Sequence, residues 1–361
     1  MNSLEPANGR YIIYCPLGVA TGGPEALHQL CHYINLLGEQ AYLLPIDRSV
    51  QAHPQYEHFQ APIISEDELT KRDILIVPET QLRIPEKILK SVNPKIVLWW
   101  LSVDNCNFAK SWKFEEKTFP IRRHLWKYRK DRKSPAQLAY LLLRSLLIKS
   151  KVKNLQSIEV EKCLHLTQSE YARVFLKEQL SQESVMVSDY ISAPVNSHPQ
   201  SANETKNIIS YNGNKGNLFV ECLFGLLPEF EFIAIKNMSH GQALEILRNS
   251  ALYLDFGHFP GKDRIPREAI LQRTPVLLAN RGAVRNEMDF RIPRDYKIDL
   301  NSTSTISVAE KIRLIVETRN ETLRDQQIFH EDCIKSESNF RIEVKTFLDL
   351  QLVTKNSLYG A

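Results

Sequence analysis

The sequence lacks the features that mark membrane-spanning or disulfide-stabilised proteins. Its most apolar stretches, 96–101 and 138–148, fall short of the roughly 20 residues that span a bilayer, and Arg144 interrupts the second. Six scattered cysteines show no C-x-x-C spacing, which is typical of reduced thiols in a cytoplasmic protein and argues against a zinc site. No basic stretch followed by an apolar core stands near the first residue, so we expect no signal peptide.

The composition is that of a folded protein with two domains. The 361 residues are 43% apolar and 24% charged, and this length exceeds what one hydrophobic core usually serves. In the first half, apolar runs predict strands at 10–17, 40–46, 73–78, 95–101, 163–167 and 184–187, with helices from Pro24 and at 170–180. This alternation predicts a doubly wound α/β domain over residues 1–195.

A second α/β pattern follows the polar, aperiodic stretch 196–206, which we interpret as a linker. The predicted strands are 207–211, 231–235, 251–256 and 275–279, and the predicted helices start near Leu218 and span 239–249 and 267–272, with two amphipathic helices in 305–352. We therefore expect a second Rossmann-like domain over 207–361, with helices at its C-terminal end.

The segment YLDFGHFPGKDRIPREAI is the best candidate for a ligand site. A strand end there leads through a loop with two glycines and two prolines to the predicted helix. Lys262, Arg264 and Arg267 place positive charge beside a helix N-terminus, a combination that suits phosphate. Glu268 could accept hydrogen bonds from ribose hydroxyls. Alternatively, the charges pair within the loop, Asp263 with Arg264 or Lys262.

Two further glycine-containing loops follow predicted strands. The segment IISYNGNKGN ends with Lys215 and Gly216 after the first strand of the second domain, and Gly22-Gly23 opens the first helix of the chain. Either loop could instead be an ordinary turn, since Asn-Gly and Gly-Gly are common turn sequences.

The segments FGHFPGKDRIPREAI and NRGAVRNEMDF resemble the donor-site region of bacterial glycosyltransferases of the GT-B architecture, which often build surface polysaccharide. The resemblance implies two Rossmann-like domains facing a central cleft, and a nucleotide-sugar donor held mainly by the C-terminal half. It assigns Glu268 to the nucleoside ribose and Lys262 and Arg264 to the donor phosphates. The implied activity is hexose transfer to a carbohydrate or lipid-linked acceptor.

The same resemblance covers the two glycine-containing loops. It assigns Lys215 and Gly216 to the donor diphosphate, and it places Gly22 and Gly23 where small residues let the substrate approach the backbone. The sequence departs from the widespread retaining pattern, which has a second glutamate eight residues before the first; Pro260 stands there, and His258 is a nearby substitute. A nucleotide-sugar epimerase and a non-catalytic binding or assembly module on the same fold therefore remain alternatives.

The resemblance also bears on metal use and on the catalytic base. No Asp-x-Asp pair occurs in the sequence, so we expect a metal-independent site and no cofactor besides the sugar nucleotide. An inverting enzyme would need a base, for which Asp104, Glu25 and His28 are candidates. Each of these types is more often a cap or a surface group, so the catalytic base and the stereochemistry stay open.

One segment carries the basic character of the chain. Residues 109–153 contain fourteen Lys/Arg and three acids, a local charge of +11, interleaved with aromatic residues. We interpret this segment first as a solvated helical excursion on the core. The second interpretation is peripheral docking on an anionic inner membrane face, near a lipid-linked acceptor, and nucleic acid ranks last.

Overall fold

The computed structural model describes residues 9–46, 51–93, 96–106, 158–192 and 207–359. The basic segment 109–153 and the predicted linker 196–206 lie outside these residues. Within the described ranges, no helix is both long and apolar enough to cross a membrane.

The N-terminal domain is built on a six-stranded parallel sheet with the order β2-β1-β3-β4-β5-β6. Its strands are short and apolar, and most of their residues are buried because helices and loops cover both faces. The strands are β1 (Tyr11–Cys15), β2 (Ala41–Pro45), β3 (Ile74–Pro78), β4 (Val97–Trp100), β5 (Leu164–Thr167) and β6 (Val185–Met186). The helices are α1 (Gly22–Leu36), α2 (Glu86–Ser91) and α3 (Glu170–Phe175), the last continuing as a π-helical turn, Leu176–Leu180.

The C-terminal domain repeats the plan on a five-stranded parallel sheet with the order β11-β10-β9-β7-β8. Its strands are β7 (Ile208–Asn212), β8 (Glu231–Ile235), β9 (Leu252–Asp255), β10 (Val276–Ala279) and β11 (Lys297–Ile298). Its helices are α4 (Asn217–Glu221), α5 (His240–Asn249), α6 (Arg264–Leu271), α7 (Thr305–Glu317), α8 (Arg319–Asp325) and α9 (Gln327–Tyr359).

Each sheet has a point at which its strand order reverses. In the first sheet β1 lies between β2 and β3, and in the second β7 lies between β8 and β9. Ligands of open α/β sheets bind beyond the carboxyl ends of the strands at such reversals. The loops after β1, β7 and β9 are therefore where a ligand site is expected.

The long helix α9 packs on both domains. Its first half contributes Phe329 and Cys333 to the core of the C-terminal domain. Further along, Phe340, Val344 and Phe347 are buried in the core of the N-terminal domain, on the face that α1 covers. The second part of α9 thus runs back onto the N-terminal domain and joins the two domains by an apolar contact. The sequence analysis did not predict this contact.

The predicted fold class, two Rossmann-like domains with C-terminal helices, is confirmed, and two details differ. The helix expected to begin near Arg267 begins one turn earlier, at Arg264, because Pro266 fits the first turn of a helix. The two helices expected in 305–352 are three, since the backbone departs from helical geometry at Thr318 and again at Gln326.

Candidate active site

A cleft of about 790 Å³ lies between the two domains, at the carboxyl ends of both sheets. This volume falls within the roughly 300–1,000 Å³ typical of small-molecule sites. Both domains contribute polar and charged side chains to its wall. Those used below are Glu25, Glu79, Gln168 and Asp189 from the N-terminal domain and His240, Asp255, Lys262, Asp263, Arg264 and Glu268 from the C-terminal domain.

Arg267 fixes the loop between β9 and α6 from beneath. Its guanidinium is buried and donates to the backbone carbonyls of Lys262 at 2.6 Å and Asp263 at 3.2 Å. It also donates to the Asp189 carboxylate of the other domain at 2.7 Å. Burial opposes the charge on Arg267, but the attraction of Asp189 outweighs it and raises the arginine pKa. Arg267 therefore bonds to groups of the protein itself and supports the loop, rather than facing a ligand.

Lys215 holds the same loop from the other side. Its ammonium donates to the Asp263 carboxylate and, at 2.9 Å, to the backbone carbonyl of His258. It also lies 3.6 Å from Asp255 and 4.0 Å from the centre of the Phe259 ring. Burial lowers the tendency of Lys215 to carry charge, but the two carboxylates outweigh it and raise its pKa.

Glycines allow the close approaches in this region. Gly216 has φ +73°, and a Cβ there would meet the Phe256 carbonyl carbon at 2.4 Å. At Gly261 a Cβ would lie 2.3 Å from the Leu101 carbonyl oxygen, so glycine lets the loop between β9 and α6 touch the N-terminal domain.

A chain of charged groups crosses the cleft. Arg264 forms an ion pair with Glu25 of α1, at 2.8 Å, and donates to Glu268 at 3.4 Å. His240, the first residue of α5, lies 3.0 Å from the same Glu268 oxygen, Oε1. Burial opposes ionisation of Glu268, yet the hydrogen bond from His240 and the charge of Arg264 outweigh it and lower its pKa. The hydrogen bond to Glu268 in turn raises the pKa of His240.

The predicted site residues fall into two groups. Lys262, Arg264 and Glu268 line the cleft together, and Gly22 and Gly23 face them across it. Lys215 and Gly216 contact the loop after β9, and His258 belongs to that loop. The predicted roles of all these residues in donor binding stay predictions. The alternative pairing of Asp263 with Arg264 or Lys262 is not observed, since Asp263 pairs with Lys215 and Arg264 with Glu25.

The three candidates for a catalytic base occupy different environments. Asp104 accepts from Tyr171 at 3.1 Å and lies 2.5 Å from His258 Nε2, in a contact between the domains. His28 is fully buried, and its Nδ1 contacts the Pro24 carbonyl oxygen at 2.8 Å, so it is a core residue whose pKa is lowered by burial. Glu25 alone of the three lines the cleft.

Glu79 is a cleft carboxyl that the sequence analysis missed. It follows β3 and accepts hydrogen bonds from the backbone N–H groups of Leu101, at 2.9 Å, and Ser102, at 2.6 Å. Burial raises its pKa to about 7, although these two donors favour the ionised form.

His240, Asp255 and Asp189 were also missed. Asp255 ends β9 and Asp189 follows β6, positions that face the ligand edge of a parallel sheet, so polarity at the end of an apolar run was the available signal for these two. His240 is the first residue of α5 and had no such signal. Among the described residues, no group of three or more His, Cys, Asp or Glu has the arrangement of a metal site.

Comparison with known proteins assigns the fold. Neither a protein-family model nor a curated protein matches the chain. Solved structures do match it over nearly its whole length, and they are glycosyltransferases built of two Rossmann-like domains. The chain therefore has the GT-B fold.

The individual similarities are in fold rather than in sequence. A glycosyltransferase from Rickettsia africae is 12% identical, with 95% of this chain and 98% of that chain aligned and a TM-score of 0.55. T4 phage BGT, solved with its UDP-glucose substrate, is 11% identical over 93% and 98%, with a TM-score of 0.50. Staphylococcus aureus TarM, solved with UDP, is 12% identical over 78% of this chain and 55% of its own, also at 0.50.

Proposed function

We propose that this protein is a glycosyltransferase that moves a sugar from a nucleoside-diphosphate donor to a carbohydrate or lipid-linked acceptor. The observation that carries this proposal is the convergence of Lys262, Arg264 and Glu268 on a cleft between two Rossmann-like domains. The GT-B fold supports it, because two structures of that fold hold UDP or UDP-glucose.

The donor diphosphate would bind at the start of α6. Arg264 and Lys262 are cations at that point, and the N–H groups of a first helical turn attract anions. Asp263 precedes the helix, but its carboxylate bonds Lys215 instead of capping the helix, so it leaves the backbone N–H groups of Arg264 and Ile265 for a ligand; Pro266, the third helical residue, has no N–H. These positive groups would offset the charge that develops on the leaving diphosphate, without a metal ion.

The ribose of the nucleoside would be held by the Glu268 carboxylate. Arg264 and His240 both contact Glu268 through Oε1, which leaves Oε2 as an acceptor for a ribose hydroxyl. The lowered pKa of Glu268 keeps this acceptor ionised at neutral pH.

The acceptor and the cellular location are proposed from the sequence. The segment 109–153, with its charge of +11, suits an anionic membrane surface on the cytoplasmic side, where lipid-linked acceptors of polysaccharide biosynthesis are found. Co-sedimentation with liposomes tests this: binding should require anionic lipid. Equal binding to neutral vesicles would contradict it.

Titration with UDP, GDP and CDP by calorimetry tests the donor site. We expect one of the three to bind, and Glu268→Gln to weaken that binding about 10-fold or more, because a hydrogen bond to a charged group is worth roughly 1.5–3 kcal/mol. Glu229→Gln, at an exposed ion pair on the C-terminal domain, is the matched control and should bind as the wild type does.

Failure of all three nucleotides to bind would contradict the donor site and favour the assembly module. If a nucleotide binds, its sugar derivatives are then incubated with the protein alone. Conversion of the sugar into another sugar nucleotide would instead identify the epimerase.

A further inference from the structure

Arg264 is shared between the two domains. Its guanidinium lies 2.8 Å from Glu25, which belongs to the first helix of the N-terminal domain, and 3.4 Å from Glu268 of its own helix. A Cβ at Gly22 would lie 3.1 Å from Arg264 Cδ, so the glycine loop gives this side chain room to reach Glu25. The cation proposed for the diphosphate is therefore paired with a carboxylate of the opposite domain.

The hydrogen bonds of Glu25 differ from those of Glu79, another carboxylate that the N-terminal domain places in the cleft beyond a strand end. Both oxygens of Glu79 accept from backbone N–H groups. Glu25 instead faces a side-chain cation, and its other contact is the Ser192 hydroxyl at 3.2 Å.

The surroundings of Glu25 make it sensitive to Arg264. Burial raises its pKa and the charge of Arg264 lowers it, so removal of that charge would increase the basicity of the carboxylate further. The other titratable groups that face it come from several elements of both domains. They are Glu268, Asp189, His240, Tyr56 and Tyr190.

We propose that Glu25 is the proton acceptor of the transfer reaction, and that Arg264 masks it until the donor diphosphate takes over the guanidinium. This inference rests on the proposed function, because it requires a diphosphate in the cleft. A carboxylate paired with arginine is a weak base, and one left beside a phosphate group is a stronger base. Donor binding thus prepares the base for the acceptor.

The chemical step is a single displacement. The acceptor hydroxyl oxygen forms a bond to the anomeric carbon of the donor sugar while the bond from that carbon to the diphosphate oxygen breaks. The nucleoside diphosphate leaves with the bonding electron pair, and Arg264 stabilises its charge. The hydroxyl proton passes to Glu25. The anomeric configuration of the product is therefore inverted relative to the donor.

The test measures proton exchange and affinity together for whichever of UDP, GDP and CDP binds. Calorimetry in two buffers of different ionisation enthalpy, at several values between about pH 5 and pH 7, gives the protons taken up on binding. We expect wild-type protein to take up more protons than Glu25→Gln, because only the wild type has a carboxylate to protonate. The variant should also bind the nucleotide about 5-fold more tightly, since no ion pair then competes for Arg264.

A second variant keeps the measurement decisive if Glu25→Gln does not fold. Ser192→Ala removes a hydrogen bond that lowers the pKa of Glu25, so the pH of half-maximal proton uptake should move upward. Equal proton uptake in wild type and Glu25→Gln, or weaker nucleotide binding by the variant, would overturn the inference and leave the donor site intact. An unshifted midpoint in Ser192→Ala would also overturn it. Absence of nucleotide binding to the wild type would instead remove the proposed function itself.

Discussion

Arg267 and Asp189 form a buried ion pair between the two domains, with 2.7 Å between guanidinium nitrogen and carboxylate oxygen. Only 2% and 1% of their side chains are exposed. Gln168 donates to the second Asp189 oxygen at 3.0 Å, and its own oxygen accepts from the Lys262 backbone N–H at 3.2 Å. The loop before α6 is thus fixed to the N-terminal domain.

We predict that Asp189→Ala lowers the free energy of unfolding by about 3–5 kcal/mol, because it leaves the Arg267 charge buried and unpaired. Urea denaturation followed by circular dichroism measures this. Glu229→Ala breaks an exposed pair with Arg313 and should cost much less stability, because solvent screens that pair. If the two variants lose similar stability, the buried pair does not have the role described.

Gly216→Ala should destabilise the protein and weaken nucleotide binding. The new Cβ would lie 2.4–2.7 Å from backbone atoms of Phe256 and Gly257, at a positive φ that alanine disfavours, and would displace the loop that Lys215 holds. Gly241→Ala is the matched control, since a Cβ there meets nothing within 4 Å and alanine favours a helix. We expect Gly216→Ala to lower the melting temperature relative to the wild type, and Gly241→Ala to leave it unchanged or raise it. Equal melting temperatures would show that the close approach is unimportant.

Glu79 should make stability depend on pH. Its pKa is raised from 4.5 to about 7 in the folded state, so the folded protein holds this proton more tightly than the unfolded chain. The associated stability is present below pH 4.5 and is lost as the pH rises through 7. The loss is on the order of 3 kcal/mol.

Denaturation of wild type and Glu79→Gln at matched pH values isolates this contribution, because other groups titrate in both proteins. The wild type should lose stability relative to the variant between pH 4.5 and 7. Parallel pH profiles would contradict the raised pKa.

Lys215→Met should destabilise the loop after β9. The substitution leaves the carboxylates of Asp255 and Asp263 close together without their cation, which we expect to cost about 3–5 kcal/mol. Adding Asp263→Asn should recover part of that loss, since one of the two charges is removed. Urea denaturation of the single and double variants measures both effects. If the double variant is no more stable than Lys215→Met, then Lys215 does not stabilise the protein by neutralising Asp263.

Most of the fold was predictable from sequence because its strands are short apolar runs that parallel sheets bury on both faces. The run EFIAI was predicted with the bounds that β8 has, Glu231–Ile235. The packing of Phe340 and Phe347 on the N-terminal domain was not predictable, because periodicity shows that a helix has an apolar face and not which core it meets.

The site was predictable only in part, for a similar reason. Composition identified Arg264 and Glu268 beside a glycine-containing loop, and both line the cleft. Their partners, Glu25 and His240, come from distant parts of the chain, and no local pattern connects them. Likewise, Arg267 has the same charge as Arg264, but only the three-dimensional contacts show that it is committed to Asp189.

A crystal structure with the bound nucleoside diphosphate tests the central claim most directly. The account predicts the diphosphate at the first turn of α6, in contact with Arg264 and Lys262, and the ribose within hydrogen-bond distance of Glu268. A nucleotide bound elsewhere, with Arg264 still paired to Glu25 and the cleft empty, would contradict it.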